Sequence, residues 1–346
     1  MNEPYILYAP NVHVGGGFVL LHGLLSAWPS HLPLTLFLDE RARGRLPLST
    51  EMNVRWVRPT IFSRLASEIS LRSLAVKGSS VLCFHGLPPW FRLVARVVVY
   101  QQNRNYLGLN SLSQFPWRTR LRIAGERRIS RWFRRRVAEY IVQTPTMQRA
   151  LTAWYGGDPN RLPLVRVLPF VDALPPIKAV RQKPFETDFV YVADGGAHKN
   201  HRLLLAAWIL LAEVGVRPSL VLTLGISDHH LIDEIEQATL KFGLCIHNKG
   251  SMSREEVLAL YERSGAMVYP STSESFGLPL IEADHVGLPI IAAELDYVRE
   301  VCTPIETFDP TSPVSIARAV RRYLGCPEPV VALMSPTDFW RVILAP

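Results

Sequence analysis

The chain has 346 residues, of which 48% are hydrophobic and 20% are charged, and its formal net charge is +8. This length allows two domains of ordinary size, and the composition excludes a disordered or fibrous chain. Cys83, Cys245, Cys302 and Cys326 are far apart and form no Cys-x-x-Cys pair, which predicts reduced thiols in the cytoplasm. We recognise no signal peptide and no apolar run long enough to cross a membrane.

Short apolar runs alternate with helical patterns along the first half of the chain. Strands are predicted at 5–9, 34–39, 54–59, 81–84, 97–100, 140–144 and 164–170, and helices at 18–28 and 62–76. Alternation of this kind predicts an α/β fold with a parallel sheet and crossover helices.

Polar or glycine-rich segments follow several of these strands. Gly15, Gly16 and Gly17 stand between the first strand and an apolar helix, an arrangement that lets backbone amides approach a phosphate or a sugar. His85 follows the run 81–84, and Asn103 closes a Gln-Gln-Asn segment after the run 97–100. These polar strand ends are expected to line the same edge of the sheet as the glycine loop.

The segment 117–140 combines many arginines with apolar residues at helical spacing, which predicts a basic amphipathic helix. Its arginines include Arg128, Arg131, Arg134, Arg135 and Arg136. The segment is either an ordinary packed helix with a solvated face or a surface for anionic lipid or a pyrophosphate-bearing acceptor. Nucleic acid is a weaker interpretation because no nucleic-acid-binding motif accompanies the charge.

A proline-rich segment at 174–184 is the best linker candidate. We therefore predict a first domain at 1–174, a second domain at 175–334, and a C-terminal helix or tail at 335–346. The second half restarts with a predicted strand at 189–193, followed by a helix from residue 201. Further strands are predicted at 219–225, 246–250, 266–270 and 289–293, and further helices at 231–242, 253 onward and 314–324.

A second glycine-containing loop, 194–200, connects the strand 189–193 to the following helix. Lys199 stands just before that helix, where its ammonium group could neutralise a pyrophosphate at the helix N-terminus. An exposed loop lysine is the alternative interpretation.

The segment from Glu274 to Glu282 follows a buried strand pattern and leads into a helix with Pro279 in its first turn. Glu274 is therefore expected in a loop and Glu282 about one turn into the helix. Both lie at the carboxyl end of a parallel sheet, where open α/β folds bind ligands. Carboxylates accept hydrogen bonds from sugar hydroxyls, and the helix start can hold phosphate. This pattern favours a nucleotide-linked sugar with its pyrophosphate between the two glutamates.

Two glutamates separated by seven residues around a Phe-Gly-Leu-Pro core resemble the signature of glycosyltransferase family 4, a retaining family with the GT-B fold. The resemblance covers nearly the whole chain, most firmly 185–305. It implies two Rossmann-like domains whose parallel sheets face each other across a cleft. It also implies that the leaving diphosphate helps to deprotonate the acceptor, so that no protein nucleophile is required.

The resemblance also assigns roles to individual residues. Lys199 would bind the donor diphosphate, Glu282 the ribose, and Glu274 the transferred sugar. Further donor-binding residues would be Asn200, Gly250, Phe276, Gly277 and Leu278, with the loop Gly15–Gly17 across the cleft.

The chain departs from the family at two positions. Asp194 stands where many members have an arginine, and Gln102 and Asn103 stand where many have a histidine that approaches the sugar. Either His85 or the amides of Gln102 and Asn103 would take the polar role, so the candidate catalytic residues are Glu274, Lys199, His85 and Asn103.

We therefore expect a metal-independent, retaining transfer of a sugar from a nucleotide-diphosphate sugar to a hydroxyl of a glycan or lipid-linked glycan. No cofactor is expected, and we interpret Asp228-His229-His230 as structural. The expected setting is cell-surface polysaccharide synthesis at the inner face of an anionic membrane, without nucleic acid. The alternatives are a nucleotide-sugar isomerase or hydrolase on the same fold, and a non-catalytic sugar-nucleotide-binding subunit.

Overall fold

The computed structural model describes residues 5–107, 112, 117–156, 163–171 and 184–328. Within them the chain forms two α/β domains, one built on a seven-stranded sheet and the other on a six-stranded sheet. Every strand pair in both sheets is parallel. The predicted fold class is confirmed. The predicted linker and the C-terminal tail lie outside the described residues, apart from Pro184.

The first domain contains strands β1 (Tyr5–Ala9), β2 (Leu34–Asp39), β3 (Met52–Val57), β4 (Ser80–Cys83), β5 (Arg96–Tyr100), β6 (Glu139–Val142) and β7 (Leu164–Val167). Its helices are α1 (Gly15–Ser26), α2 (Ile61–Leu74), α3 (Trp117–Phe133) and α4 (Pro145–Trp154). The strand order is β3-β2-β1-β4-β5-β6-β7. The order reverses between β1 and β4, and in doubly wound sheets the ligand crevice lies at such a reversal.

The second domain contains strands β8 (Thr187–Tyr191), β9 (Ser219–Leu222), β10 (Cys245–Asn248), β11 (Ser264–Tyr269), β12 (Ile290–Ala293) and β13 (Glu306–Phe308). Its helices are α5 (His201–Glu213), α6 (His229–Phe242), α7 (Arg254–Arg263), α8 (Leu278–His285), α9 (Asp296–Arg299) and α10 (Pro313–Tyr323). The strand order is β10-β9-β8-β11-β12-β13. Its reversal lies between β8 and β11, whose following loops carry Lys199 and Glu274.

The central strands are apolar runs because crossover helices cover both faces of each sheet. All six residues of β11 are buried, as are all four of β12. Ile6, Leu7, Tyr8 and Ala9 of β1 are buried in the same way. These strands place the loops that follow them at one edge of each sheet.

The two domains touch through hydrogen bonds between their loops and helix ends. The backbone N–H and the hydroxyl of Thr146, in the first turn of α4, both donate to Glu300, at 3.0 and 2.8 Å. The backbone N–H of Arg104 donates to the hydroxyl of Ser275 at 3.2 Å. The second contact joins the polar end of β5 to the loop that contains Glu274.

Two differences from the predicted elements have clear causes. Helix α3 ends at Phe133 rather than continuing to residue 140, because Val137 and Tyr140 are buried with β6 in the core of the sheet. Glu139 is buried as well, and Arg96 and Arg166 neutralise its carboxylate from the flanking strands. Strand β13 was not predicted, because three residues are too few for a recognisable periodicity.

Candidate active site

A cavity of about 730 Å³ opens between the two domains at the carboxyl edges of both sheets. The first domain contributes Gly15, Gly16 and Gly17 to its wall, and the second contributes Lys199 and the segment 274–279 with Glu282. The predicted glycine loop and the predicted donor-binding block therefore line one cavity.

Two of the helices that begin at this cavity, α1 and α8, lack side-chain caps. No side chain caps α1, which begins at Gly15, or α8, which begins at Leu278. The side chains of Thr60, Thr144, Ser253 and Ser312 cap α2, α4, α7 and α10 instead. The first N–H groups of an α-helix need acceptors, and an anion at an uncapped N-terminus supplies them. The cavity thus presents two helix N-termini to an anionic ligand.

These two helix N-termini lie close together. A Cβ atom added to Gly16 would approach the Cδ1 atom of Leu278 to 3.1 Å, so glycine allows α1 to pack near the start of α8. Gly277 precedes α8 with a φ of 78°, a left-handed conformation that favours glycine. Gly16 therefore lets α1 approach the start of α8, and Gly277 permits the turn from which α8 begins.

Lys199 and Glu274 form an ion pair, with 2.7 Å between Nζ and Oε1. Both side chains are largely buried, with 13% and 11% of their area exposed. The pair bridges the loops that follow β8 and β11. The backbone N–H of Thr272 donates to the carbonyl of His198 at 2.8 Å and joins the same two loops.

Two further donors hold the carboxylate of Glu274. The hydroxyls of Ser271 and Tyr269 donate to Oε1 at 2.7 and 3.0 Å, beside the bond from Lys199. Burial, together with the charge of Glu274, raises the pKa of Tyr269 well above its usual value, so the phenol keeps its proton. Glu274 is therefore fixed even if Lys199 turns toward another anion.

Glu282 lies on α8 and is buried at the opposite end of the motif. Arg254, in the first turn of α7, donates through Nε to its Oε1 at 3.1 Å. Burial raises the pKa of Glu282, and the charge of Arg254 opposes that rise. A carboxylate held in this way at the cavity wall can accept hydrogen bonds from ligand hydroxyls.

A second, smaller cavity of about 290 Å³ adjoins the first, and Glu274 lines both. His85 and Asn103 of the first domain face His198 and Glu274 of the second across it. Burial lowers the pKa of His85 well below its usual value, and that of His198 is lowered for the same reason. Both imidazoles are therefore neutral near pH 7, and the cavity suits an uncharged polar group such as a sugar.

Asn103 is positioned by its own loop. Its side-chain oxygen accepts from the backbone N–H of Asn105 at 2.9 Å, and its carbonyl accepts from the amide of Gln101 at the same distance. The amide of Gln102 donates to the carbonyl of Phe84 at 2.7 Å. Both His85 and the Gln102–Asn103 pair therefore reach the smaller cavity.

The remaining predicted donor residues differ in their placement. Phe276, Gly277 and Leu278 line the larger cavity. Asn200 instead donates through its amide to the carbonyls of Pro270 and Pro310, at 3.2 and 2.8 Å, and contributes no lining atom to either cavity. Gly250 is not a lining residue of either cavity, although residues 251–254 line the larger one.

Asp194 and Asp228 add negative charge to the larger cavity. The carboxylate of Asp194 accepts from the backbone N–H of Gly196 at 2.9 Å, and that of Asp228 from Gly195 at 3.0 Å. No group of three or more His, Cys, Asp or Glu side chains arranged to hold a metal occurs among the residues that the structure describes. Asp228 thus supports the loop that contains Lys199.

The arginines predicted for the basic helix lie in α3 and in the 3-10 turn Arg134–Arg136 that follows it, and none of them lines the cavities between the domains. Arg128, Arg131 and Arg134 line an open groove of the first domain together with Trp132 and Trp154. Arg135 is exposed. Arg136 folds back, and its guanidinium donates to the carbonyls of Pro89 and Trp90. The predicted basic surface therefore includes Arg128, Arg131, Arg134 and Arg135, but Arg136 is not part of it.

The sequence did not indicate Arg45, Arg254, Tyr269 or Ser271 as site residues. Arg254 had a local signal, because it follows the predicted cap Ser253 of α7. Arg45 had none, because it reaches the cavity from the loop after β2, far from any motif in sequence.

Among the described residues, no helix is both long enough and apolar enough to cross a bilayer.

A protein-family model and several curated proteins match part of this chain. Residues 177–333 match the family model of glycosyl transferases group 1. The serotype-specific mannosyltransferase WbdA of Escherichia coli is 37% identical over 79 residues, which are 22% of this chain and 10% of that protein. The O-antigen chain mannosyltransferase B of Escherichia coli is 33% identical over 115 residues, 32% of this chain and 30% of that protein. The chain thus spans less than a third of the length of these relatives.

Solved structures share the fold along almost the whole chain. The Anabaena HepE structure in complex with UDP and glucose has a TM-score of 0.64 at 14% identity, and covers 92% of this chain and 89% of that one. Sucrose-phosphate synthase from Thermosynechococcus elongatus has a TM-score of 0.67 at 16% identity, with 93% and 90% covered. Residues 177–333 therefore match the glycosyl transferases group 1 model, and the chain as a whole shares the GT-B fold of these solved structures.

Proposed function

We propose that this protein transfers a sugar from a nucleotide-diphosphate sugar to a hydroxyl of a glycan or lipid-linked glycan, in the synthesis of cell-surface polysaccharide. One observation carries the proposal: the uncapped N-termini of α1 and α8 meet Lys199 in one cavity, with Glu274 and Glu282 at its ends. Such a cavity suits a diphosphate flanked by a ribose and a sugar. The UDP and glucose complex of HepE and the mannosyltransferase relatives support this donor class.

In this proposal the diphosphate lies at the helix N-termini, and the ribose lies against Glu282. The sugar then extends past Glu274 into the smaller cavity. Negative charge grows on the leaving phosphate during transfer, and Lys199 and the helix N–H groups stabilise it without reorganisation. Because neutral His85 and Asn103 can bind sugar hydroxyls, they orient the acceptor or the transferred ring.

We further propose that the transfer retains the anomeric configuration and requires no metal. Glu274 is held by Lys199, Ser271 and Tyr269, so it orients the sugar rather than attacking it. The leaving diphosphate would then accept the proton of the acceptor hydroxyl on the face from which it departs. Domain closure would exclude water and limit donor hydrolysis.

The partner surface that we propose is an anionic membrane, met by α3 at the inner face. Trp117, Leu121 and Trp132 are 64%, 64% and 63% exposed, and Arg128 stacks on Trp132 at 4.3 Å. Indole rings and arginines side by side suit the boundary between lipid headgroups and acyl chains.

Incubation with labelled nucleotide sugars tests the function, with and without a lipid-linked glycan acceptor. We expect label in the acceptor only when both substrates are present, with GDP-mannose in the donor panel because of the mannosyltransferase relatives. Conversion of the donor alone would favour an isomerase or hydrolase. Binding without turnover of any donor would favour a non-catalytic subunit.

A further inference from the structure

The larger cavity contains more carboxylates than cations. The acidic residues that line it are Asp194, Asp228, Glu274 and Glu282. The basic residues that line it are Arg45, Lys199 and Arg254. Four acids against three bases leave one excess negative charge. A diphosphate would add at least two more, so every cation that can reach it matters.

Lys199 and Arg254 each form an ion pair with a carboxylate of the cavity. Lys199 pairs with Glu274 at 2.7 Å, and Arg254 pairs with Glu282 at 3.1 Å. Arg45 differs, because it forms no ion pair within 4.0 Å in the part of the chain that the structure describes. Its positive charge is therefore not neutralised by a neighbour.

Arg45 is also held in place beside the glycine loop. Its Nη1 donates to the carbonyl of His13 at 3.1 Å, and its guanidinium lies over the ring of Phe18 at 4.5 Å. His13 and Phe18 flank Gly15–Gly17 in sequence, so the guanidinium stands next to the uncapped start of α1. Most of its five N–H donors remain for a ligand, and a planar guanidinium matches phosphate oxygens in a bidentate way.

The start of α1 lies near the start of α8, since a Cβ atom added to Gly16 would lie 3.1 Å from the Cδ1 atom of Leu278. An anion at α8 and Lys199 is thus within the cavity that Arg45 lines. We propose that Arg45 is a second diphosphate-binding cation, supplied by the first domain where Asp194 of the second domain offers none. This inference rests on the proposed nucleotide-sugar donor. The diphosphate would then bridge both domains, and its binding would draw them together.

Arg43 provides a matched control two residues away. It pairs with Glu40 at 3.8 Å and stacks on Trp56 at 4.9 Å, and it contributes no atom to the cavity lining. Arg43→Gln removes the same charge from the same loop. Any general effect of net charge or loop stability should therefore appear in both variants.

Calorimetry with UDP, GDP and ADP, in EDTA and without added metal, tests the inference on the full chain. For the diphosphate that binds the parent, we expect Arg45→Gln to weaken binding by about 10- to 150-fold. Binding of the corresponding nucleoside should change by less than about twofold, and Arg43→Gln should match the parent. Arg45→Lys should recover part of the loss, because it restores charge without the planar fork.

Each other outcome overturns the inference in a recognisable way. If the parent binds a diphosphate and Arg45→Gln binds it equally well, the inference alone fails. Equal losses for diphosphate and nucleoside would mean that Arg45 shapes the cavity rather than contacting phosphate. If the parent binds the diphosphate only when magnesium is added, a metal ion rather than Arg45 supplies the missing positive charge. A parent that binds no diphosphate under any condition would overturn the proposed function as well.

Discussion

Glu274 and Glu282 occupy different environments although they belong to one motif. Glu274 receives three hydrogen bonds in a loop at the wall between the two cavities. Glu282 is buried on α8, where Arg254 is its cation. The two carboxylates can therefore serve different parts of one ligand.

Replacing each glutamate by glutamine should show which part of the donor that carboxylate binds. We expect Glu282→Gln to lower affinity for the free nucleoside diphosphate by about 10- to 150-fold, since a charged acceptor of the ribose is lost. Glu274→Gln should leave that affinity intact or raise it, because a negative charge next to Lys199 disappears. It should depress turnover of the full donor, whose sugar is held less well. Calorimetry measures the diphosphate affinity of each variant, and steady-state transfer measures its turnover. If Glu274→Gln loses diphosphate affinity and Glu282→Gln does not, the donor lies across the motif in the reverse orientation.

His201 makes the stability of the second domain depend on pH. Burial lowers its pKa to about 4, and its ring nitrogens have no hydrogen-bond partner among the described residues. In the unfolded chain the imidazole protonates near its ordinary pKa of about 6.5. The unfolded state therefore binds more protons between these values, and stability must fall as the pH drops from about 6.5 to 4.

We expect this single group to cost on the order of 3 kcal/mol of unfolding free energy across that range. His201→Phe removes the titrating group and keeps a ring against Tyr191, which lies 4.8 Å away. Denaturant unfolding at several pH values should give a shallower pH dependence for this variant. Parallel curves for parent and variant would show that His201 does not titrate as its burial requires.

At the scale of elements, α1 and α8 differ from α2, α4, α7 and α10 in having no side-chain cap at the N-terminus. The capped helices carry Ser or Thr immediately before their first turn, as Ser253 does with Glu256 in the capping box of α7. The start of α1 has only glycines, and that of α8 has Gly277. Leaving these N–H groups without a side-chain acceptor costs stability, and a bound anion would offset it.

Helix α3 and the 3-10 turn Arg134–Arg136 that follows it form the segment expected to bind membrane. Arg128, Arg131 and Arg135 form no ion pair within the described ranges, so their charges are available to anionic lipid. Changing all three to Glu should strongly reduce co-sedimentation with vesicles that contain phosphatidylserine, since each basic residue near such a surface contributes about 1 kcal/mol. The effect should fade as salt is raised.

The control for this experiment changes the net charge equally at positions outside the segment 117–136. Lys77, Lys241 and Lys249 are exposed, and their replacement by Glu should leave sedimentation close to that of the parent. If both triple variants lose binding to the same extent, the attraction is one of net charge and α3 is not a specific surface.

At the scale of the whole molecule, the charge needed at the cavity comes from both domains. Helix N-termini and Lys199 stand on one side of it, and α1 with Arg45 stands on the other. A site of this kind can stabilise a leaving diphosphate without a metal ion. Its electrostatics therefore depend on how closely the two domains approach each other.

We accordingly expect transfer to persist in excess EDTA at a rate within about twofold of the untreated enzyme, and to gain little from added magnesium or manganese. The measurement is steady-state transfer of labelled sugar after chelation, with a metal-dependent transferase as the positive control for chelation. Complete loss of activity that manganese or magnesium restores would contradict metal independence.

Local patterns in the sequence predict the alternation of strands and helices, the capping box of α7 and the spacing of Glu274, Phe276 and Glu282. These features are local: apolar periodicity, turn residues and caps act over a few positions, so the printed sequence contains them. Gly15–Gly17 and Lys199 follow strands of two different sheets, and their meeting across a cleft was expected only from the family resemblance.

The remaining features depend on contacts between residues that are far apart in the sequence. Nothing near Arg45 in sequence indicates a site, because its place depends on how the first domain packs against the second. The amide of Asn200 could have faced a ligand, but the carbonyls of Pro270 and Pro310, far away in sequence, take it instead. Helix α3 stops at Phe133 although its spacing continues, because burying Val137 and Tyr140 in the sheet outweighs a local helical pattern. A local sequence pattern allows more than one structure, and long-range packing determines which of them forms.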